Sequence, residues 1–176
     1  MLKKIVIIGP ESTGKTTLCT ELANHFNAQW VPEYAREYLL KNGTDYDFED
    51  LLTIAQGQLR SEDAYTQQAS GQKLLFIDTD MYVMKVWCEF VFGKCHSFVL
   101  DELAKRKYDL YLLCNTDLPW VRDELREYPD LETRQHLYEL YKNIMIHQST
   151  PWADVRGNHA ERLAIAIKAV ENLLVS

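Results

Sequence analysis

The run Gly9-Pro10-Glu11-Ser12-Thr13-Gly14-Lys15-Thr16 matches G-x-x-x-x-G-K-[ST], and its residue types point to phosphate chemistry. The glycines let the backbone curl until successive N–H groups point inward at phosphate oxygens. Lys15 then reaches the β- and γ-phosphates of a nucleoside triphosphate, and Thr16 offers its hydroxyl to Mg²⁺. Gly9, Glu11, Ser12, Thr13, Gly14, Lys15, Thr16 and Thr17 are the expected nucleotide-binding residues.

Acidic residues supply a second chemistry. Leu74-Leu75-Phe76-Ile77 closes on Asp78, a carboxylate placed to meet the Mg²⁺ shell beside Thr16, so Thr16 and Asp78 are the expected metal ligands. Asp80 is placed either for substrate hydroxyls or as the cap of the helix that follows. After Pro32 comes Glu33, suited to accept the proton of an attacking hydroxyl or to order the cation through water. Arg36, three residues on, either pairs with Glu33 or contacts a phosphate. The sequence leaves open whether Asp78 or Glu33 is the base.

A third group is the charge-dense, proline-interrupted stretch from Asn115 to Glu127. Its place suits a lid spanning about 117–134, which would deliver arginine to the phosphoryl group and exclude water. Arg126 and Arg122 are the first candidates for that arginine and Arg134 the third. Near the C-terminus, Val155-Arg156-Gly157-Asn158 is placed to present backbone, Gly157 above all, to adenine.

These groups need a scaffold that brings them together. Near-continuous apolar runs predict strands over 2–8, 28–31, 74–78, 110–114 and, more weakly, 153–155. Helical periodicity falls between them, over 15–26, 33–41, 48–70, 81–92, 97–106, 131–148 and 160–174. Buried strands alternating with helices indicate a five-stranded parallel sheet covered on both faces. With a phosphate loop after the first strand, the fold class is an α/β P-loop NTPase fold, whose ligands gather outside the carboxyl ends of the strands.

A length of 176 residues fits a single domain over 1–176, with no linker or repeat. The formal charge of −7 argues against a nucleic-acid partner. No stretch has the length of a membrane span, and the short apolar run after Lys3 and Lys4 is no signal peptide, so the expected location is cytoplasmic. Cys19, Cys88, Cys95 and Cys114 form no C-x-x-C pair and read as buried reduced thiols. Oligomeric state is left open.

Among P-loop proteins, GTPases are disfavoured because N-K-x-D is absent and no D-x-x-G starts at Asp78. An oligomeric AAA-type motor is disfavoured because the length leaves no room for a helical subdomain. The glycine loop, Glu33-Tyr34-Ala35-Arg36-Glu37-Tyr38, Phe76-Ile77-Asp78-Thr79-Asp80 and Trp120-Val121-x-Asp123-x-Leu125-Arg126 together resemble the nicotinamide riboside kinase domain of NadR-type proteins. The resemblance spans nearly the whole chain and departs at Glu124, where the family's lid block carries glycine. It implies ATP as donor, Mg²⁺, and phosphorylation of the 5′-hydroxyl of nicotinamide riboside to nicotinamide mononucleotide. With the loop starting at residue 9 and no H-x-G-H motif, the expectation is a stand-alone kinase. The implied catalytic residues are Lys15, Asp78, Glu33 and Arg126. Ribose would meet the carboxylates Glu33, Asp78 and Asp80, with Arg36 a further substrate-binding candidate, while the flat pyridinium would seek aromatic faces, with Tyr34, Trp87 and Trp120 the candidates and Tyr82 nearby. Two rivals stand beside this reading: a kinase for another nucleoside, and a regulatory ATP-binding module.

Overall fold

The computed structural model describes residues 1–175. Its centre is a five-stranded sheet of β1 (Lys3–Ile8), β2 (Gln29–Val31), β3 (Leu74–Asp78), β4 (Leu110–Cys114) and β5 (Trp152–Val155). The strand order is β2-β3-β1-β4-β5, and every neighbouring pair is parallel. Successive strand residues point to opposite faces. Ile5 and Ile7 join the core formed with α1 (Lys15–Phe26) and α7 (His159–Val175), while Val6 and Ile8 join the core on the other face. That second core is closed by α4 (Met81–Phe92) and α6 (Leu131–His147). Both faces being covered, β3 and β4 are buried along their whole length, which is why their sequences are apolar without alternation.

A third core lies beside the sheet, where α2 (Tyr34–Asn42), α3 (Phe48–Gln68), α4 and α5 (Ser97–Lys105) pack through Leu39, Leu51, Ile54, Met84 and Val99. The element types match the sequence expectation throughout, and the ends differ by a residue or two. Helix α3, for example, stops at Gln68, and α7 starts at His159. The four cysteines are free; Cys19, Cys88 and Cys114 are buried and Cys95 only partly so.

Two features set up the site. The chain leaves β1, crosses to β2 and β3 on one side, and later adds β4 and β5 on the other, so a crevice opens where the order reverses above β1. Between β4 and α6, residues 115–130 run without helix or strand across that crevice. No helix among the described residues is long and apolar enough to cross a membrane.

Candidate functional site

The loop after β1 fills the crevice. Gly9 (φ 144°) lies so close to β4 that an added Cβ would sit 2.7 Å from the Cys114 carbonyl oxygen, so only glycine fits. Gly14 (φ 77°) precedes α1 in the left-handed region and provides no side-chain cap. The first N–H groups of α1 therefore face the crevice with the positive end of the helix dipole. The Lys15 ammonium donates to the Pro10 carbonyl at 2.9 Å and the Thr13 hydroxyl to the same oxygen at 2.7 Å, folding the loop over itself.

Beneath the loop, the Thr16 hydroxyl donates to Asp78 Oδ2 at 2.5 Å. Asp78 is fully buried, and its other oxygen, Oδ1, makes no hydrogen bond. Burial raises the Asp78 pKa, against the lowering pull of Lys15 and of the Thr16 hydroxyl. An orphaned carboxylate oxygen beside a threonine hydroxyl fits a hard divalent cation.

One cavity of about 250 Å³ runs from this loop to the acids and aromatics opposite. Gly9 to Thr17, Glu33 and Arg36 line it, and Tyr46, Trp87, Phe90, Leu125, Arg126, Glu127 and Tyr128 add a wall far from the loop in sequence. Burial, then the Asp78 charge, pushes the Glu33 carboxyl up to about 7. Trp87 Nε1 donates to the Tyr46 hydroxyl at 2.9 Å, and that hydroxyl donates to Glu127 Oε2 at 3.0 Å. The Phe90 and Tyr128 rings meet edge to face at 5.5 Å.

The segment 115–130 is tied down at several points. Glu11 of the loop accepts from Trp120 Nε1 at 3.2 Å and from the backbone N–H groups of Glu127 and Tyr128 at 2.9 and 2.6 Å. Ser12 Oγ accepts from the Val121 N–H at 3.0 Å. Arg36 pairs with Asp123 at 3.2 Å, a partner in the segment rather than Glu33 or an open site. Leu125 N–H donates to Asp123 Oδ1 at 3.1 Å, closing a turn at Glu124 without glycine.

The structure thus brings the phosphate loop, Glu33, Arg36, Trp87 and Arg126 to one cavity with Asp78 directly beneath. Six other residues singled out by the sequence lie elsewhere. Asp80 is fully buried as the cap of α4, accepting from the Tyr82 and Val83 N–H groups on Oδ1 and from the Tyr111 hydroxyl on Oδ2. Both its oxygens are used, so the capping role replaces the substrate role. Tyr34 packs its ring on Gly57 of α3, away from the cavity. Trp120 spends its indole N–H on Glu11 outside the wall. Arg122 is exposed and off the wall, and Tyr82 is likewise not on it. Gly157 cannot present its N–H to a base because Asp117 already accepts it. Its neighbour Arg156 instead lines a second, separate cavity of about 490 Å³ with Asn115, Thr116, Tyr138 and Asp154.

Arg126 lines the main cavity but donates to the Val121 carbonyl. Arg134 is a different case. It is buried, and its Nε and Nη1 make no hydrogen bond. On α6 it lies three and seven residues before Leu137 and Tyr141, the wall residues of that helix. An unpaired guanidinium inside a protein is costly unless an anion completes it.

Other residues of the site carry a weaker sequence signal. Gln58 on α3 and Arg162 on α7 sit on otherwise apolar helical stripes, with Leu51, Ile54 and Ala55 and with Ala166 and Val170. A polar residue at such a position marks a buried partner. Gln58 Oε1 accepts the Tyr34 N–H at 2.7 Å while its Nε2 donates to the Asp78 carbonyl at 3.3 Å, joining the helix behind Glu33 to the strand carrying Asp78. Arg162 donates to the Thr13, Asn115 and Gly157 carbonyls at 2.9, 2.7 and 3.0 Å and pairs with Asp117. Tyr46, Phe90, Glu127 and Tyr128 have no local signal; only the fold brings them to one wall.

Comparison with known proteins agrees with this architecture. Residues 4–162 match the family described as AAA domain. The trifunctional NAD biosynthesis/regulator protein NadR of Escherichia coli (strain K12) is 33% identical over 82% of this chain. The match takes in 36% of that relative, so the chain spans about a third of its length. A crystal structure of NadR protein in complex with NR (nicotinamide riboside) superposes with TM-score 0.84 at 24% identity, covering 98% of this chain and 49% of the other. A second, of NadR protein in complex with NAD and AMP-PNP, gives TM-score 0.79 at 24% identity over 99% and 50%.

Proposed function

The chain belongs to the AAA domain family and has a P-loop kinase-like fold, and on that premise we propose that it is an ATP-dependent kinase for the 5′-hydroxyl of nicotinamide riboside. The products would be nicotinamide mononucleotide and ADP. The observation that carries this reading is that one cavity is lined by the phosphate loop, by Glu33, and by aromatic rings together with the Glu127 carboxylate.

The loop N–H groups and Lys15 hold the donor phosphates. Thr16 and Asp78 would hold Mg²⁺. Among the described residues no cluster of three or more His, Cys, Asp or Glu side chains forms a ready metal cage, so phosphate oxygens and water would complete the shell. When bound, the cation neutralises charge between the β- and γ-phosphates. Glu33 is the base: it lines the cavity, whereas Asp78 is turned to Thr16 below it. The acceptor oxygen bonds to the γ-phosphorus as the bond to the β,γ-bridging oxygen breaks, and the hydroxyl proton passes to Glu33. Arg126, which lines the cavity, and Arg134, buried on the helix that carries the wall residues Leu137 and Tyr141, are the arginines for the spreading negative charge. On the far wall, Trp87 and Tyr128 offer ring faces, and Glu127 a negative charge, to a flat cationic ring.

Phosphoryl transfer from ATP across a panel of nucleosides tests the assignment. Nicotinamide riboside should be the preferred acceptor. Turnover of thymidine without turnover of nicotinamide riboside would reject it, and ATP hydrolysis with no phosphorylated acceptor by mass spectrometry would favour a regulatory module.

A further inference from the structure

We propose that Glu11, although it belongs to the phosphate loop, is a positioning residue for the acceptor rather than for the donor. The inference rests on the reading that the far wall receives a nucleoside. A loop residue beside Lys15 would ordinarily be assigned to the triphosphate. Glu11 is ill suited to that, since its carboxylate repels phosphate and its oxygens already accept three donors from the segment across the crevice: Trp120 Nε1 and the N–H groups of Glu127 and Tyr128.

Residues 115–130 have no helix or strand to satisfy their backbone, so the N–H groups need acceptors from elsewhere. Glu11 supplies them where it matters most. The two residues whose N–H groups it holds are the same two whose side chains build the wall. Glu127 receives the Tyr46 hydroxyl, Tyr46 receives the Trp87 indole N–H, and the Tyr128 and Phe90 rings meet edge to face. All five line the cavity. The donor loop therefore carries a strut to the acceptor wall, made of charge-assisted hydrogen bonds, which are about twice as strong as neutral ones.

If the wall is competent only while the strut holds, apparent acceptor affinity scales with the fraction of molecules in which it is formed. Donor phosphates bind the loop backbone and Lys15 and do not share that dependence. The test is Glu11→Gln, which keeps shape but removes the charge. Expected are a rise of about tenfold in the nucleoside KM, affinity for a non-hydrolysable ATP analogue within about twofold of the parent, and faster amide hydrogen exchange at Glu127 and Tyr128. Glu11→Ala should enlarge the same pattern, with thermal unfolding confirming an intact fold. An equal loss of ATP-analogue affinity, or an unchanged nucleoside KM, would overturn the proposal. The KM is read with whichever nucleoside the parent protein phosphorylates. Failure on nicotinamide riboside alone thus counts against that substrate and not against Glu11, whereas a parent with no acceptor at all overturns both.

Discussion

Glu33 and Asp78 show how one site separates two carboxylates by environment. Both are pushed toward the neutral form by burial, yet Asp78 is held by a hydroxyl and Glu33 faces the cavity. A base must be ionised, and a carboxyl raised to about 7 is protonated at pH 5 and ionised at pH 8. The kcat/KM for the nucleoside should therefore fall as pH drops through about 7. Glu33→Gln should lower kcat by roughly 10²- to 10⁴-fold and abolish that limb; a mutant retaining both rate and limb would exclude Glu33 as base. Arg134 is a buried cation whose Nε and Nη1 make no hydrogen bond, with the Asp130 carboxylate near enough to feel its charge. Arg134→Met should lower kcat by about a hundredfold while leaving the urea-unfolding midpoint close to that of the parent. A loss of stability with no loss of rate would assign Arg134 to packing.

Between elements, the tightest constraint is where α2 meets α3. A Cβ at Gly57 would lie 2.0 Å from the Tyr34 ring, so glycine is what lets the residue after Glu33 seat against α3. Two effects compete in Gly57→Ala. Helix propensity favours alanine by about 1 kcal/mol, and overpacking costs roughly 1–3 kcal/mol. A Cβ only 2.0 Å from a ring carbon cannot be absorbed without moving the ring, so the cost wins: denaturation should show net destabilisation, with a higher nucleoside KM as Glu33 shifts. A stabilised variant with unchanged kinetics would refute this. The same junction shows where sequence reading stops. The glycine loop, Asp78 and the strand-helix alternation are written in short stretches, because curling, strand burial and helix faces are local physics. Tyr34, Trp120 and Asp80 stand close in sequence to a strand end, but a side chain's direction there is set by what packs against it. Tyr34 found Gly57, Trp120 found Glu11, and Asp80 found Tyr111. The far wall needs Tyr46, Trp87 and Glu127 from three distant segments, so no window of sequence displays it.

Across the whole molecule, the loops at the carboxyl edge of the sheet are held as a unit by Arg162. Its guanidinium, nearly fully buried, gathers carbonyls from the phosphate loop, the end of β4 and the turn after β5, with Asp117 as counter-charge. Removing it strands a partly buried carboxylate and three carbonyls. Arg162→Ala should cost about 3–5 kcal/mol, a fall in Tm of roughly 10 °C for a chain of this size, and weaken ATP-analogue binding. Arg162→Lys should recover little, because a single ammonium cannot span three acceptors at fork geometry. A drop of only a degree or two in Arg162→Ala would show that the loops hold their places without it.

The close approach of Gly9 to the Cys114 carbonyl bears on what a glycine-rich motif certifies. At position 9 a side chain is already forbidden by the backbone of β4, before any nucleotide arrives. A descendant that had lost every catalytic group would still need glycine there to close its sheet. The first letter of the motif thus records architecture, and the proposed chemistry is to be sought in Glu33 and Asp78 instead.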